Sequence, residues 1–175
     1  MMFRFCRTGI PAALVALLAV ELGAQQDPSV KLRVAQGFEQ AGEWERAAQL
    51  YDDLVRSDSV NYVYFDGLRR SYVQLKRYDA AVDLVRSRLR KNPSDPVLLA
   101  SLAGLWYDAG REGAADSTWN SILEREAKNP GLVKLIASSQ IERRLHDRAI
   151  QTFLRGRTAS GNPVLFSEDL GLVYS

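Results

Sequence analysis

Few side chains in this sequence could carry out chemistry. His146 is the only histidine and Cys6 the only cysteine. A zinc site is usually built from several histidine, cysteine or carboxylate ligands, and this chain supplies such a set only if carboxylates act alone. The sequence also contains no glycine-rich phosphate loop, nucleophile elbow or zinc-protease helix pattern. We therefore predict no catalytic residue, no metal site and no cofactor.

The remaining candidates are carboxylates and the histidine itself. Asp52, Asp53, Glu124 and Glu126 fall where helix surfaces face water, and charged side chains there are normally solvated. His146 falls at a position that packs between helices in the pattern described below, so its predicted role is structural. The sequence therefore predicts that the chain is not an enzyme.

The balance of charge argues against nucleic-acid binding. There are 23 basic and 21 acidic residues, which gives a formal net charge of +2. Basic pairs such as Arg69-Arg70 and Arg143-Arg144 lie close to acidic neighbours, whereas nucleic acids are bound by sustained basic faces. An apolar fraction of 46% and a charged fraction of 25% are typical of a folded, soluble protein.

The first 24 residues have the order of a secretory signal peptide. Arg4 and Arg7 precede an apolar run from Ile10 to Val20, and the polar Gln25 comes shortly after it. The run is too short to span a bilayer comfortably. We predict cleavage after Ala24 and export to the periplasm or cell envelope, or secretion, with no stable membrane insertion afterwards. An uncleaved anchor is the alternative. The processed chain would contain no cysteine, which excludes disulfides.

From residue 27 onward the sequence repeats itself every 34 residues, with apolar positions at helical spacing between brief turns. Four columns share this period: an alanine (Ala47, Ala81, Ala115, Ala149), a bulky residue four positions later (Tyr51, Val85, Trp119, Phe153), an aliphatic residue (Val34, Leu68, Leu102, Ile136, Leu170) and an aromatic four positions after it (Phe38, Tyr72, Trp106, Tyr174, with Gln140 as the exception).

These columns predict a pair of helices in each repeat. The aliphatic and aromatic residues stack on one face of a first helix, and the alanine lets a second helix approach it closely. Small residues also recur on the first helix, but Arg69 interrupts them. We therefore expect the second hairpin to open slightly there, or the arginine stem to reach out to solvent.

Residues at the starts and ends of the predicted helices support the same 34-residue frame. Asp27-Pro28, Asp95-Pro96 and Asn129-Pro130 each place a capping side chain before a proline at the first helical position. Gly42 and Gly110 follow first helices, where a left-handed residue closes a helix.

The pattern resembles that of the tetratricopeptide repeat family. This family has a small residue at position eight, an aromatic near eleven, alanine at twenty and a bulky residue at twenty-four. Trp44 and Tyr78 match its aromatic at seventeen, whereas Glu112 and His146 depart from it. The resemblance implies an all-α fold in which antiparallel helix-turn-helix repeats stack into a right-handed superhelix. The array would cover 28–175, as repeats 28–61, 62–95, 96–129 and 130–163 and a partial fifth over 164–175.

The resemblance also implies where a partner binds. In this family the first helices line a concave groove that takes a protein or peptide. The family's groove positions correspond here to the following residues: Leu32, Gln36, Val63, Asp66, Arg70, Gln74, Val97, Tyr107, Asp108, Lys134, Ile141 and Glu142. The lysine, asparagine and arginine with which some members clamp a C-terminal carboxylate are replaced here, for example by Leu32, Gln36 and Ser101. We therefore expect no clamp of that type.

Two functions remain open from the sequence. The first is an exported scaffold that binds envelope proteins or assembles with copies of itself. The second is an accessory repeat region of a longer protein, with an enzymatic or signalling domain beyond residue 175. Because Leu170, Gly171 and Tyr174 match a first helix with no second helix after it, we expect the chain to be an N-terminal fragment.

Overall fold

The computed structural model describes residues 27–174, so the predicted signal peptide lies outside the described residues. The described part is helical, with these elements: α1 (Pro28–Gln40), α2 (Trp44–Ser57), α3 (Tyr62–Gln74), α4 (Tyr78–Leu89), α5 (Pro96–Asp108), α6 (Glu112–Glu126), α7 (Pro130–Glu142), α8 (His146–Ser160) and α9 (Ser167–Tyr174). Within residues 27–174, none of these helices has the length and apolar character needed to cross a membrane.

Helix starts follow the period of the sequence. The first helices α1, α3, α5 and α7 begin 34 residues apart, and so do the second helices α2, α4, α6 and α8. Asp27, Asp95 and Asn129 accept hydrogen bonds from backbone N–H groups of the next turn, and proline follows each of them. These caps satisfy donors that a helix start would otherwise leave without partners.

A left-handed residue separates the two helices of each of the four repeats. Gly42 and Gly110 have φ of 74° and 76°, as predicted, and Lys76 and Arg144 occupy the equivalent places with φ of 56° and 59°. A residue with a Cβ pays roughly 1–2 kcal/mol for this conformation. Lys76 and Arg144 thus adopt, at the same place in the repeat, a conformation that glycine adopts more easily.

The alanine and bulky columns form the interior. Ala47, Ala81, Ala115 and Ala149 are fully buried, and the bulky residues four positions later are at most 2% exposed. The predicted burial of these two columns is confirmed. The aliphatic column is buried from Leu68 onward.

The aliphatic and aromatic columns of the first helices are not buried at the two ends of the repeat array. Val34 is 45% exposed and Tyr174 is 69% exposed. Each lies on a terminal helix of the described residues, where fewer neighbouring helices cover its face. His146 is exposed at the first residue of α8, so its predicted packing role is wrong.

By their contacts the described residues form two compact parts, of which one ends at Ser71 and the other begins at Tyr72. In the N-terminal part, a glycine of α3 lies close to a side chain of α2. A Cβ added to Gly67 would lie 2.3 Å from Cε1 of the fully buried Tyr51. Gly67 thus lets α3 pack closely on α2, the second helix of the preceding repeat. The Arg69 guanidinium bonds to Asp66 of its own helix.

In the C-terminal part, α5 and α6 form one hairpin and α7 and α8 the next, and α9 packs on α8. Trp119, Ile136 and Phe153 belong to its core, and the Phe166 ring lies 5.0 Å from that of Phe153 between centroids, tilted by 42°. Gly156 brings α8 close to α7, because a Cβ there would lie 2.8 Å from Cγ1 of Val133.

Candidate protein-binding faces of the first helices

The N-terminal part places a charged cluster on its first helices. Arg70 of α3 donates from Nε to Oε1 of Glu39 on α1 at 2.6 Å, and from Nη2 to Oε2 at 3.2 Å. The Tyr51 hydroxyl donates to the same Oε2 at 2.7 Å. Glu39 thus accepts from two neighbouring elements, and its side chain is only 17% exposed. Two parallel bonds between a guanidinium and a carboxylate fix the orientation of both groups.

Asp66 completes this cluster from within α3. It accepts from Nε and Nη2 of Arg69 at 3.1 and 2.8 Å, and its other oxygen accepts from Nη1 of Arg70. Two carboxylates and two guanidinium groups therefore neutralise each other. Of the predicted groove residues, Arg70 therefore joins α3 to α1, and Asp66 holds the Arg70 guanidinium from within α3.

The cluster shifts the pKa of its members in opposite directions. The hydrogen bonds from Arg70 hold the pKa of Glu39 below its ordinary value of 4.5, and the Tyr51 hydroxyl adds to this effect. Burial raises the pKa of the Tyr51 hydroxyl, and the neighbouring Glu39 carboxylate raises it further. The pKa of Arg70 is raised by its hydrogen bonds to Glu39. The ionised form of Glu39 is therefore part of the folded structure.

This cluster predicts an acid-sensitive contribution to stability. Because the pKa of Glu39 is lowered on folding, its contribution is complete above its ordinary value of 4.5 and is lost as the pH falls through the lower, folded value. We expect the free energy of unfolding of the wild type to fall more steeply below about pH 4.5 than that of Glu39→Gln. Urea titrations from neutral pH into this range measure both slopes, and parallel curves would contradict the assignment.

The C-terminal part also has an ion pair between two first helices, formed by different residues. Arg143 at the end of α7 donates to both carboxylate oxygens of Asp108 on α5, at 2.8 and 2.6 Å. It also donates to the Gly104 carbonyl at 3.2 Å and to the Ser139 hydroxyl at 2.8 Å. A Cβ on Gly104 would lie 2.9 Å from Nη2 of Arg143, so the glycine leaves room for the guanidinium. Both charged side chains are less than one-fifth exposed.

Other predicted groove residues of the C-terminal part also have partners. Lys134 of α7 pairs with Asp169 of α9 at 2.7 Å, and Glu142 lies 3.9 Å from Arg143. The centroid of the Tyr107 ring lies 6.3 Å from that of the Trp119 ring. The Arg148 guanidinium lies over the Tyr107 ring, 5.7 Å from its centroid. Ile141 packs against the core.

The predicted groove residues therefore divide into two sets. The exposed residues are Gln36, Val63, Gln74, Val97, Lys134 and Glu142. The half-buried residues are Leu32, Asp66, Arg70, Tyr107, Asp108 and Ile141. If Tyr107 and Arg70 lined a groove, helical geometry predicts that they are exposed while their neighbours Trp106 and Tyr72 are buried. This prediction is wrong, because all four are half-buried.

Sequence reasoning missed Glu39, Arg143 and Leu135. Glu39 and Arg70 are separated by 31 residues, and Asp108 and Arg143 by 35. Opposite charges about one repeat apart on first helices could therefore have indicated these ion pairs from the sequence. Leu135 is an apolar side chain on α7 that is 40% exposed, although its neighbour Ile136 is fully buried.

The exposed apolar residues of the first helices are chemically suited to a protein partner. Val63 is 49% exposed in the N-terminal part, and Val97 and Leu135 are 46% and 40% exposed in the C-terminal part. Exposed amide side chains occur in each part as well, at Gln36 in the N-terminal part and at Gln74 in the C-terminal part. Groups of this kind can bury aliphatic side chains and exchange hydrogen bonds with a peptide backbone.

Comparison with known proteins places this architecture among solved structures. No protein-family model matches the chain, and no curated protein matches it. It is similar to a crystal structure of MamA, with a TM-score of 0.55 and 14% identity, over 87% of this chain and 89% of that one. MamA from Desulfovibrio magneticus RS-1 gives a TM-score of 0.54 and 12% identity, over 85% of each chain. The likeness shows the fold: the chain is all-α and of the tetratricopeptide type.

Proposed function

We propose that the chain is an exported, non-catalytic scaffold that binds proteins or peptides through the first-helix faces, meaning the solvent-facing sides of α1, α3, α5 and α7. The observation that carries this proposal is that the charged and the apolar residues of these helices differ in their contacts. Charged residues pair with each other, whereas Val63, Val97 and Leu135 are left substantially exposed. A helical scaffold with exposed apolar side chains on one set of helices is suited to binding.

The internal ion pairs support this function by holding neighbouring first helices in place. Asp108 and Arg143 join α5 to α7, and Glu39 and Arg70 join α1 to α3. A surface that is already ordered loses less conformational entropy when a partner binds. The pairs thus fix the positions of the helices that carry the exposed side chains.

The chemistry of the partner follows from this difference between paired charged residues and exposed apolar residues. Because the charges are neutralised within the protein, long-range attraction to a highly charged ligand is weak. Exposed valine, leucine and glutamine side chains favour an aliphatic segment with accessible backbone groups. We therefore infer a protein segment as the partner, from the cell envelope or from a second copy of the chain, and neither a nucleic acid nor a membrane.

The first test uses charge introduced at the exposed valines. We expect Val63→Glu and Val97→Glu to reduce capture of partners from envelope extract, because a buried, unpaired carboxylate opposes association. Each valine is the second residue of its helix, where a carboxylate is favourable to the helix, so stability should hardly change.

Val164→Glu is the matched control, since this valine is 71% exposed and lies in the turn before α9. Equal recovery of every partner by all three variants would contradict the proposed face. The same recovered protein tests export, because the proposal expects its mass to correspond to a chain that begins near Gln25. A full-length chain found in the cytoplasm would contradict that part.

A further inference from the structure

Contacts between neighbouring first helices of the C-terminal part occur in one register. Lys134 of α7 pairs at 2.7 Å with Asp169 of α9, which carries the first-helix residues of the partial fifth repeat. Asp108 of α5 pairs with Arg143 of α7 at 2.6 Å, and the residues of each pair are 35 positions apart. Because the repeat is 34 residues long, a residue of one first helix meets the residue one place further along the next first helix.

The first helix α1 has no preceding repeat among the described residues, and one of its sides is open. Val34 is 45% exposed, whereas Leu68 of the same column is 1% exposed. A Cβ added to Gly37 would meet nothing within 4 Å, whereas Ser71, one repeat later, is fully buried. Arg33 is exposed, and no carboxylate of the described residues lies within 4.0 Å of its guanidinium. Arg33, Val34 and Gly37 form the α1 end face.

At the other end of the described residues, α9 also has an open side. Leu172 is 78% exposed, and Glu168 one turn earlier is exposed as well. No basic nitrogen of the described residues lies within 4.0 Å of the Glu168 carboxylate. Leu172 and Glu168 occupy on α9 the places of Gly104 on α5 and Lys134 on α7, and both of these contact the next first helix. Glu168 and Leu172 therefore form the α9 end face, and Val164 in the preceding turn lies outside it.

The charges of the two end faces are complementary in this register. Glu168 occupies the place of Lys134, and Arg33 occupies on α1 the place that Asp169 occupies on α9. Lys134 and Asp169 are bonded at 2.7 Å. A second copy whose α1 lies against α9 would therefore place Arg33 beside Glu168, in the same ion pair with the two charges exchanged.

The sizes of the side chains on the two end faces are complementary as well. In the C-terminal part, a Cβ on Gly104 would lie 3.1 Å from Oγ of Ser139, so these two positions face each other. Leu172 and Gly37 occupy the equivalent places. A large, exposed aliphatic side chain of α9 would thus meet a glycine of α1 that leaves space for it. Burial of Leu172 against Val34 and Gly37 removes apolar surface from water, which favours association.

We propose that the chain binds a second copy of itself head to tail, with the α9 end face of one copy against the α1 end face of the next. Because the two faces differ, a pair of copies retains one free face of each kind, and assembly continues into open chains or closes into rings. A contact between two helices is small, so the association is weak. The contact uses none of Val63, Val97 and Leu135, so it does not depend on what binds the first-helix faces.

Sedimentation equilibrium of the purified protein alone, from roughly 1 μM to 1 mM, tests this proposal. We expect the average mass of the wild type to rise with concentration. Glu168→Arg and Arg33→Glu should each raise the dissociation constant at least about tenfold, because like charges then face each other. An equimolar mixture of the two variants should associate as the wild type does, since every contact between unlike copies joins opposite charges.

Two further variants separate this contact from general effects of charge or folding. Glu124→Arg is the matched control, because Glu124 is exposed on α6 and lies on neither end face, so it should associate like the wild type. Gly37→Leu should weaken association while the protein stays folded, because leucine fills the space for Leu172 and is a better helix former than glycine. Circular dichroism measures the helix content of each variant.

The mixture of charge-exchanged variants decides between this contact and any other surface. Recovery of association in the mixture alone identifies a second copy as the occupant of both end faces. The proposal is overturned if the wild type stays monomeric up to 1 mM, or if Glu168→Arg and Arg33→Glu associate as the wild type does. It is also overturned if the mixture does not recover association, or if Glu124→Arg weakens association equally.

Discussion

Replacing Gly67 by alanine is expected to destabilise the protein by about 1–3 kcal/mol, although the change adds one methyl group. The new Cβ would lie 2.3 Å from Cε1 and 2.4 Å from Cζ of Tyr51. This ring has little freedom to move, because it is fully buried and its hydroxyl is bonded to Glu39. Relief of the clash therefore requires α3 to move away from α2.

Gly37→Ala is the matched control for this substitution. Gly37 lies within α1, and a Cβ there would meet nothing within 4 Å. Alanine is preferred over glycine in a helix interior by roughly 0.5–1 kcal/mol, so this variant should be more stable than the wild type. Urea unfolding of both variants gives the free energies. If Gly67→Ala is as stable as Gly37→Ala, α3 does not pack on Tyr51 as described.

Replacing Ala115 by leucine is expected to cost at least as much. Ala115 is fully buried on α6 beside Trp119 and faces the first helix of its own hairpin. Three added carbon atoms in a packed interior force side chains from their rotamers and shift the backbone, typically at about 1–3 kcal/mol. Ala81→Leu should behave alike, because Ala81 is the equivalent residue of the preceding repeat and is also fully buried.

The adjacent Ala114 provides the comparison for Ala115. It is exposed on the same helix turn, and surface substitutions usually change stability by less than about 0.5 kcal/mol. Thermal unfolding should therefore separate Ala114→Leu from Ala115→Leu clearly. Unchanged unfolding of both Ala81→Leu and Ala115→Leu would mean that the 34-residue frame is misplaced.

The fold was predictable because the repeat presents the same physical requirement four times. Ala47 and its equivalents must be small for two helices to approach, and Asp95 and Asn129 mark helix starts by a local hydrogen bond. Lys76 and Arg144 could not be predicted as left-handed, because no glycine marks them. Their turns are instead closed by backbone hydrogen bonds, from the Arg77 N–H to the Tyr72 carbonyl and from the Leu145 N–H to the Gln140 carbonyl, which residue type does not indicate.

The binding face was less predictable, because it depends on contacts between repeats. The sequence frame places Arg70 and Asp108 on the correct helices, but it does not show that Glu39 and Arg143 reach them. Nor does it show that Gly67 packs against Tyr51 of the preceding repeat. The repeat frame defines which helix carries a residue. Which side chain that residue bonds to depends on how far side chains extend between neighbouring helices.

The central claim is that a protein partner contacts the first-helix faces, and site-specific photo-cross-linking tests it most directly. A photoreactive amino acid is placed at Val97 on α5, and in a second variant at Val164 in the turn before α9. Both positions are exposed, so both variants should fold. Irradiation of cells is predicted to give a discrete cross-linked partner from position 97 and none from position 164. Cross-linking of the same partner from position 164 but not from position 97 would contradict the account.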